Sequence, residues 1–391
     1  MTMAKVCFVA PKAYSVLSGK GDVQHIGGAE VQQARIARAL LDRGYGVSFI
    51  TLDVGQPDGE ELDGIRIHRS YQAGGGLPGL RFLHPRATAV WSAMRRAGAK
   101  IYYQRTSDPL TGVVAAFCRR YDRKFVFALG HDGDCDPALP FCRSLRERVP
   151  YRYGLKAADA VVAQTATQQL NLLRHFGVQS VVIPSCHVTP PLKPAAAHAG
   201  TPRMVWLGRF APEKRLELLL EVASRCGDVE FDVLGDGPAG PYVAELKERA
   251  SMLENVNLVG YVPHTEVAGH YEKATGLICT SSSEGFPNTF LEAWSRGLAV
   301  VTSFDPDGIV KKHGLGLVSP TADGLAEAVR SICADADERD RLCCSAHDYF
   351  LANHTVDAAV SRYDDLFRRL LGLQAPSRDE PACVAAGAEV S

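Results

Sequence analysis

Gly276-Leu277-Ile278-Cys279-Thr280, followed by Glu284-Gly285-Phe286-Pro287-Asn288-Thr289-Phe290-Leu291-Glu292, is the stretch on which the reading of the fold turns. Its first five residues form an apolar run of strand length. From Asn288 onward, Phe290, Leu291, Trp294 and Ser295 recur with helical spacing. A Gly-Phe-Pro bend therefore joins a strand to a helix. The start of that helix leaves backbone N–H groups unpaired and carries the positive end of the helix dipole, a seat for phosphate. Two carboxylates, Glu284 and Glu292, bracket the bend with seven residues between them.

The same alternation extends outward. Downstream of residue 202, strands read at 203–207, 230–234, 257–259, 276–280 and 299–302, each followed by a helical stretch. Upstream, strands read at 5–10, 47–51, 65–68, 100–103, 124–129, 160–163 and 181–183, with helices at 29–43, 86–97 and 111–120. Strands alternating with helices predict an α/β protein with parallel sheets. From Pro184 to Pro202 no helical or strand period exists. The reading is a first domain at 1–185, a linker at 186–202 and a second domain at 203–355. An amphipathic helix near 356–371 is expected to pack back on the first domain, and 374–391 reads as a disordered tail.

Composition narrows the function classes. The 391 residues are 46% apolar and 22% charged with a formal net charge of −1, which suits a folded two-domain protein and argues against a general nucleic-acid binder. No run of 18 apolar residues occurs, and the chain passes from Met1-Thr2-Met3-Ala4-Lys5 straight into strand-like residues. Neither signal peptide nor transmembrane helix is expected, which places the protein in the cytoplasm. Eleven scattered cysteines read as buried thiols of a reducing compartment, and neither Cys135 with Cys142 nor Cys343 with Cys344 has zinc-site spacing. No metal and no cofactor are expected.

Trp206-Leu207-Gly208-Arg209-Phe210-Ala211-Pro212-Glu213-Lys214 ends a strand at glycine and follows it with two cations. Open α/β sheets bind ligands at that edge, where Arg forks onto phosphate and Lys supplies a mobile charge. Solvated loop charges are the alternative. Gly27-Gly28 ends the loop after the first strand, where absent side chains let backbone approach a phosphate; an ordinary turn pair is the alternative.

Taken in order and spacing, Gly27-Gly28-Ala29-Glu30, the Arg209 and Lys214 pair, Leu234-Gly235-Asp236-Gly237-Pro238, Val259-Gly260-Tyr261-Val262 and the Glu284 to Glu292 segment resemble the retaining glycosyltransferases of family 4 over nearly the whole chain. The resemblance implies the GT-B fold, two Rossmann-like domains facing across a cleft, with a nucleotide-diphosphate sugar mainly on the second. It implies that Arg209 and Lys214 hold the diphosphate, Glu292 the ribose hydroxyls and Glu284 the sugar near its reacting carbon. Backbone around Gly285, Phe286, Pro287, Asn288 and Thr289 would bind hydroxyls or phosphate, and Tyr261 and Val262 would border the base. The expected reaction moves a hexosyl unit to a glycan, lipid-linked or small-molecule acceptor with retention and without metal, as in polysaccharide biosynthesis. A non-catalytic nucleotide-sugar-binding subunit or a sugar-nucleotide epimerase on the same fold is the alternative. Donor base, sugar, acceptor and oligomeric state are not legible.

His131, in Gly130-His131-Asp132-Gly133-Asp134-Cys135-Asp136, follows a strand and falls at the catalytic edge, where relatives place a histidine near the sugar's primary hydroxyl. The aspartates depart from their commonest pattern. Pro137 and Arg143 occupy positions that an EF-hand reserves for glycine and glutamate, so Asp132, Asp134 and Asp136 read as acceptor-binding or solvated. Finally Leu80, Arg81, Phe82, Leu83, His84, Pro85 and Arg86, continuing through Trp91, Arg95 and Arg96, mix cations with apolar residues. A sheet-packing helix with snorkelling arginines is favoured there over peripheral contact with anionic lipid at the inner membrane face.

Overall fold

The computed structural model describes residues 3–20, 27–76, 81–191, 200–263 and 266–373. The apolar runs become strands because they are buried on both faces. Every residue of Ile101–Arg105 is buried, as are four of the five in Lys5–Val9 and in Lys124–Ala128. Such strands need helices above and below them, which the intervening amphipathic segments supply.

The first sheet contains β1 (Lys5–Val9), β2 (Gly46–Thr51), β3 (Glu61–Leu62), β4 (Ile65–Arg69), β5 (Ile101–Arg105), β6 (Lys124–Ala128), β7 (Ala160–Ala163) and β8 (Val181–Val182), in the order β3-β4-β2-β1-β5-β6-β7-β8. The second contains β9 (Arg203–Leu207), β10 (Glu230–Leu234), β11 (Val256–Gly260), β12 (Gly276–Cys279), β13 (Val300–Thr302) and β14 (Gly316–Val318), in the order β11-β10-β9-β12-β13-β14. All pairings are parallel except β3 with β4. Among the parallel strands of each sheet the order reverses once, between β1 and β5 and between β9 and β12. At such a reversal neighbouring crossovers leave in opposite directions and open a crevice at the carboxyl ends of the strands.

Two short strands escape the sequence reading. β3 turns into β4 through Asp63 and Gly64, both at positive φ (49° and 80°), as a two-residue hairpin turn requires. β14 pairs beside β13, where a Cβ at Gly316 would lie 2.0 Å from the carbonyl oxygen of Val300. The helix expected at 86–97 begins at Thr88, since the preceding turn Phe82–Ala87 contains Pro85 and an extended His84.

The helix Val356–Leu370 joins the first sheet's core: Ala359, Val360, Tyr363, Leu366 and Phe367 are buried in one cluster with Val6, Phe8 and Phe49. At about 2 kcal/mol per large side chain, that contact contributes on the order of 10 kcal/mol before chain entropy is subtracted. The chain crosses between the sheets near residues 185–187 and again near 354, and the crossings are bonded together. His187 N donates to the His354 carbonyl at 2.9 Å, and His354 Nδ1 lies 2.8 Å from the Ser185 carbonyl. The tail reading for 374–391 and residues 192–199 of the linker lie outside the described residues, as does Leu80.

Candidate functional site

The cations after β9 meet different fates. Gly235, at φ 132°, packs so closely on the end of β9 that a Cβ there would sit 1.8 Å from the Gly208 carbonyl oxygen, so the two strand-end loops touch through backbone. Arg209 projects from this junction with its side chain 79% exposed, 3.7 Å from the Glu213 carboxylate. The turn Pro212–Lys214 then carries Lys214 inward, where its ammonium pairs with Glu284. Ser281 Oγ also donates to Glu284, at 2.7 Å. Thr280 Oγ1 donates to the Lys214 carbonyl at 2.7 Å and Ser282 N to the Glu213 carbonyl at 2.9 Å. These bonds hold the Lys214 turn against the loop after β12, so the carboxylate and the ammonium are placed before any ligand arrives.

That loop ends in the short helix Asn288–Trp294. Phe286 is buried against the His354 ring, centroids 4.9 Å apart, and against Trp294. Pro287, at the N-cap, has no donor to lose. Asn288 reaches across the cleft: Gln32 Nε2 donates to its Oδ1 at 3.0 Å, and a Cβ at Gly28 would lie 2.3 Å from its Nδ2. Gly28, which opens the helix Gly28–Asp42, therefore gives up its space to Asn288; Gly27 is the N-cap of that helix, and Thr289 follows Asn288 half-buried. Glu292 is buried and accepts a hydrogen bond from the Tyr271 hydroxyl at 3.1 Å. Glu292 is therefore not a solvated surface charge. Tyr261, partly exposed, and Val262, half-buried, follow the outer strand β11.

Opposite stands the loop after β6. Asp134 is fully buried and accepts from the backbone N–H of Ser107 (3.0 Å), Gly130 (2.7 Å) and His131 (3.1 Å). Asp136 accepts from Ala138 N at 2.7 Å. The reading of all three aspartates as acceptor-binding or solvated is corrected for Asp134, which folds the loop because loop N–H groups removed from water need acceptors; Asp136 stays exposed to solvent. Asp132 faces the cleft, its Oδ1 accepting from Gln168 Nε2 at 2.9 Å. Burial pushes its pKa up to about 6, with the Glu284 charge adding to the rise and the Gln168 bond and His131 opposing it. His131 Nδ1 accepts from Gly133 N at 3.1 Å, which leaves Nε2 to carry the proton of a neutral ring. Phe141 meets that ring edge-on, centroids 5.1 Å apart.

The two sides close on each other. A Cβ at Gly285 would lie 2.7 Å from the Gly130 carbonyl oxygen, 2.7 Å from Gln164 Nε2 and 3.0 Å from His131 Cα. A pocket of about 260 Å³ lies on the first-domain side of the cleft, lined by His131, Asp132, Pro140, Asn171 and His175, with Ser283 reaching it from the second domain. The structure thus brings together His131, Glu284 and Lys214 and leaves Arg209 outside this constellation in solvent. Sequence reasoning missed Gln32, Gln164 and Asp307. Asp307 extends from the loop after β13 and accepts from Ala166 N (2.6 Å) and Thr167 N (2.9 Å), capping the first-domain helix Ala166–Phe176 from the second domain. Its turn, Asp305-Pro306-Asp307-Gly308, is recognisable in sequence, but its reach across the cleft is not. Among the described residues no three His, Cys, Asp or Glu side chains converge as a metal site.

Residues 27–186 match the model of the glycosyl transferase 4-like domain, and residues 201–335 that of the glycosyl transferases group 1. The chain is 24% identical over 178 residues to an alpha-D-kanosaminyltransferase of Streptomyces kanamyceticus, a match covering 43% of this chain and 46% of that protein. In general it spans about a third to a half the length of the curated relatives it matches. Its backbone is similar to sucrose-phosphate synthase of Thermosynechococcus elongatus (TM-score 0.78, 20% identity, 94% of this chain and 99% of that one). It is similar also to Anabaena HepE in complex with UDP-glucose (TM-score 0.72, 18% identity, 94% and 100%). Both likenesses concern the two-sheet GT-B fold.

Proposed function

Since the chain belongs to the group 1 glycosyltransferases of family 4, we propose that it transfers a hexosyl unit from a nucleotide-diphosphate sugar to an acceptor hydroxyl, with retention at the anomeric carbon and without a metal ion. The observation that carries this reading is the Lys214–Glu284 pair, pinned by Ser281 and facing His131 and Asp132 across a cleft narrow enough for Gly285 to abut Gly130.

In the proposed reaction the bond between the anomeric carbon and the diphosphate oxygen breaks. The acceptor oxygen bonds to that carbon from the same face, and the acceptor's proton passes to the departing phosphate. Negative charge grows on the leaving oxygens and positive charge on the sugar. Lys214 answers the first, joined by Arg209, whose exposed guanidinium is free to swing onto the diphosphate; Glu284 answers the second. Donor binding would exchange the Lys214–Glu284 contact for Lys214–phosphate and Glu284–hydroxyl contacts, so little new desolvation is required. Glu292, already half-satisfied by Tyr271, would take the ribose, and His131 Nε2–H would donate to a sugar hydroxyl.

A panel of UDP-, GDP-, ADP- and TDP-sugars, read by thermal shift and by slow donor hydrolysis, tests the donor. UDP-glucose is the natural first member, because the Anabaena structure of the same fold is a UDP-glucose complex. Absence of both stabilisation and hydrolysis across the panel would remove the donor assignment. Proton NMR of the first-formed product reports retention, and turnover unchanged by EDTA is expected if Arg209 and Lys214 carry the leaving-group charge. No helix among the described residues is long and apolar enough to cross a membrane.

A further inference from the structure

The helix Leu145–Ala157 turns an apolar stripe to solvent. Leu145 and Val149 are 75% and 63% exposed, and Tyr153 continues the stripe one turn on, at the four-residue spacing that aligns side chains along one helix face. This is not a displaced core face, since the opposite side is fully engaged: Tyr151, Gly154 and Leu155 are buried. There a Cβ at Gly154 would lie 2.5 Å from the Thr111 carbonyl carbon, so the helix is seated backbone to backbone on the helix Leu110–Tyr121. Phe141, in the loop just before this helix, is 54% exposed and touches His131 at the cleft.

Charge frames the stripe. At 100° per residue Arg146 lies on one side of it and Arg152 on the other, Lys156 falls within it, and Arg143 precedes the helix; all four are exposed. Among the described residues the side chains of Arg143, Arg146 and Lys156 make no hydrogen bond or ion pair, whereas the neighbouring Glu147 carboxylate is occupied by the N–H groups of Arg143 and Ser144. In a chain of formal net charge −1 this is a local excess of positive charge. The segment 80–96 is less free. Arg86 lies over the Tyr71 ring, Arg96 bonds the Arg69 carbonyl and Asp58, and Trp91 packs on Phe117.

We propose that the outer face of the helix Leu145–Ala157, together with Phe141, docks on an anionic lipid bilayer. The apolar stripe enters the headgroup boundary and the flanking cations meet lipid phosphates, as an interfacial helix with cations beside its apolar face does. Docked this way, the His131 side of the cleft opens next to lipid. If the glycosyltransferase reading above holds, on which this last step rests, the acceptor is then one carried by the membrane.

The test is co-sedimentation of the full chain with vesicles of equimolar phosphatidylcholine and phosphatidylglycerol, against vesicles of phosphatidylcholine alone. Binding is expected only to the first, weakening as salt rises. The double variants Arg143→Glu/Arg146→Glu and Leu145→Ser/Val149→Ser should each lower the partition coefficient at least about tenfold, since each cation near such a surface contributes about a factor of five. Arg81→Glu, in the segment 80–96, should leave it unchanged. Wild-type protein that ignores the anionic vesicles overturns the proposal, as do double variants that bind as wild type does. A concentration-dependent dimer in light scattering, abolished by the stripe variant while vesicles are ignored, assigns the face to a second copy instead. Circular dichroism confirms folding of the variants. Donor thermal shift on the same proteins separates the two claims: variants that lose vesicles but keep donor stabilisation place the loss on the docking face alone. A wild type that binds vesicles but no donor overturns the reading of the cleft and leaves docking standing.

Discussion

Replacing Gly285 with alanine tests whether the two domains meet where the site is assembled. The new methyl would stand 2.7 Å from the Gly130 carbonyl oxygen, 2.7 Å from Gln164 Nε2 and 3.0 Å from His131 Cα. Two of these three atoms are main chain and cannot rotate away. An extra methyl forced into a packed site costs about 1–3 kcal/mol. The Gly285 side of the contact belongs to one domain and the Gly130 side to the other, so the cheapest relief is for the domains to part. That cost then falls on the closed arrangement, whose population should drop about 5- to 150-fold at 1.36 kcal/mol per decade. We expect kcat/KM, measured with whichever nucleotide sugar stabilises the protein, to fall by that factor while Tm changes by no more than a few degrees. Adding Gln164→Ala should restore little, because the main-chain contacts persist. Gly269→Ala is the control: it lies within the helix Val267–Tyr271 with nothing within 4 Å of its Cβ, and should leave turnover unchanged while adding up to about 1 kcal/mol of stability. Gly285→Ala with kcat/KM within twofold of wild type would refute the reasoning.

Lys214→Ala and Glu284→Gln should each reduce kcat by roughly 10²- to 10³-fold, the scale for losing one electrostatic contact to the transition state, and wild-type rates in both would remove the pair from the mechanism. Asp307→Ala removes the acceptor for two N–H groups of the opposing domain; a loss of about 1 kcal/mol is expected, with faster amide exchange at Ala166 and Thr167, and unchanged exchange there would show that the contact does not hold in solution. His354 is buried between the crossings, and burial lowers its pKa from 6.5 to about 4. With the folded value depressed, the unfolded chain binds the proton first, so stability is full above pH 6.5 and falls as pH drops toward 4, by about 3 kcal/mol in all. His354→Gln should flatten this slope in urea titrations between pH 7 and 4. Comparing variant with wild type cancels Asp132, whose raised pKa acts in the opposite direction, and parallel curves would contradict the assignment.

The sequence by itself determined the α/β alternation, because strands buried on both faces must be apolar throughout and the helices that cover them must be amphipathic. It also placed Lys214 and Glu284 at strand ends, since a glycine after an apolar run marks where a parallel strand stops, and strand ends line the crevice. The small hairpin at β3 escaped that reading, although Asp63-Gly64 is a turn pair suited to positive φ. What pattern could not decide is which loops face each other. Asp134 looked like a ligand-binding carboxylate until three N–H groups from Ser107, Gly130 and His131 proved to surround it. Arg209 and Lys214 looked alike until one stayed in solvent beside Glu213 of its own turn and the other turned inward onto Glu284 of a different loop. The reach of Asp307 to the far domain, and of Asn288 to Gln32, has no local signal. Periodicity records whether a residue is buried within its own element, whereas pairing across a cleft depends on how two separately folded sheets are set against each other, and only the tertiary structure decides that.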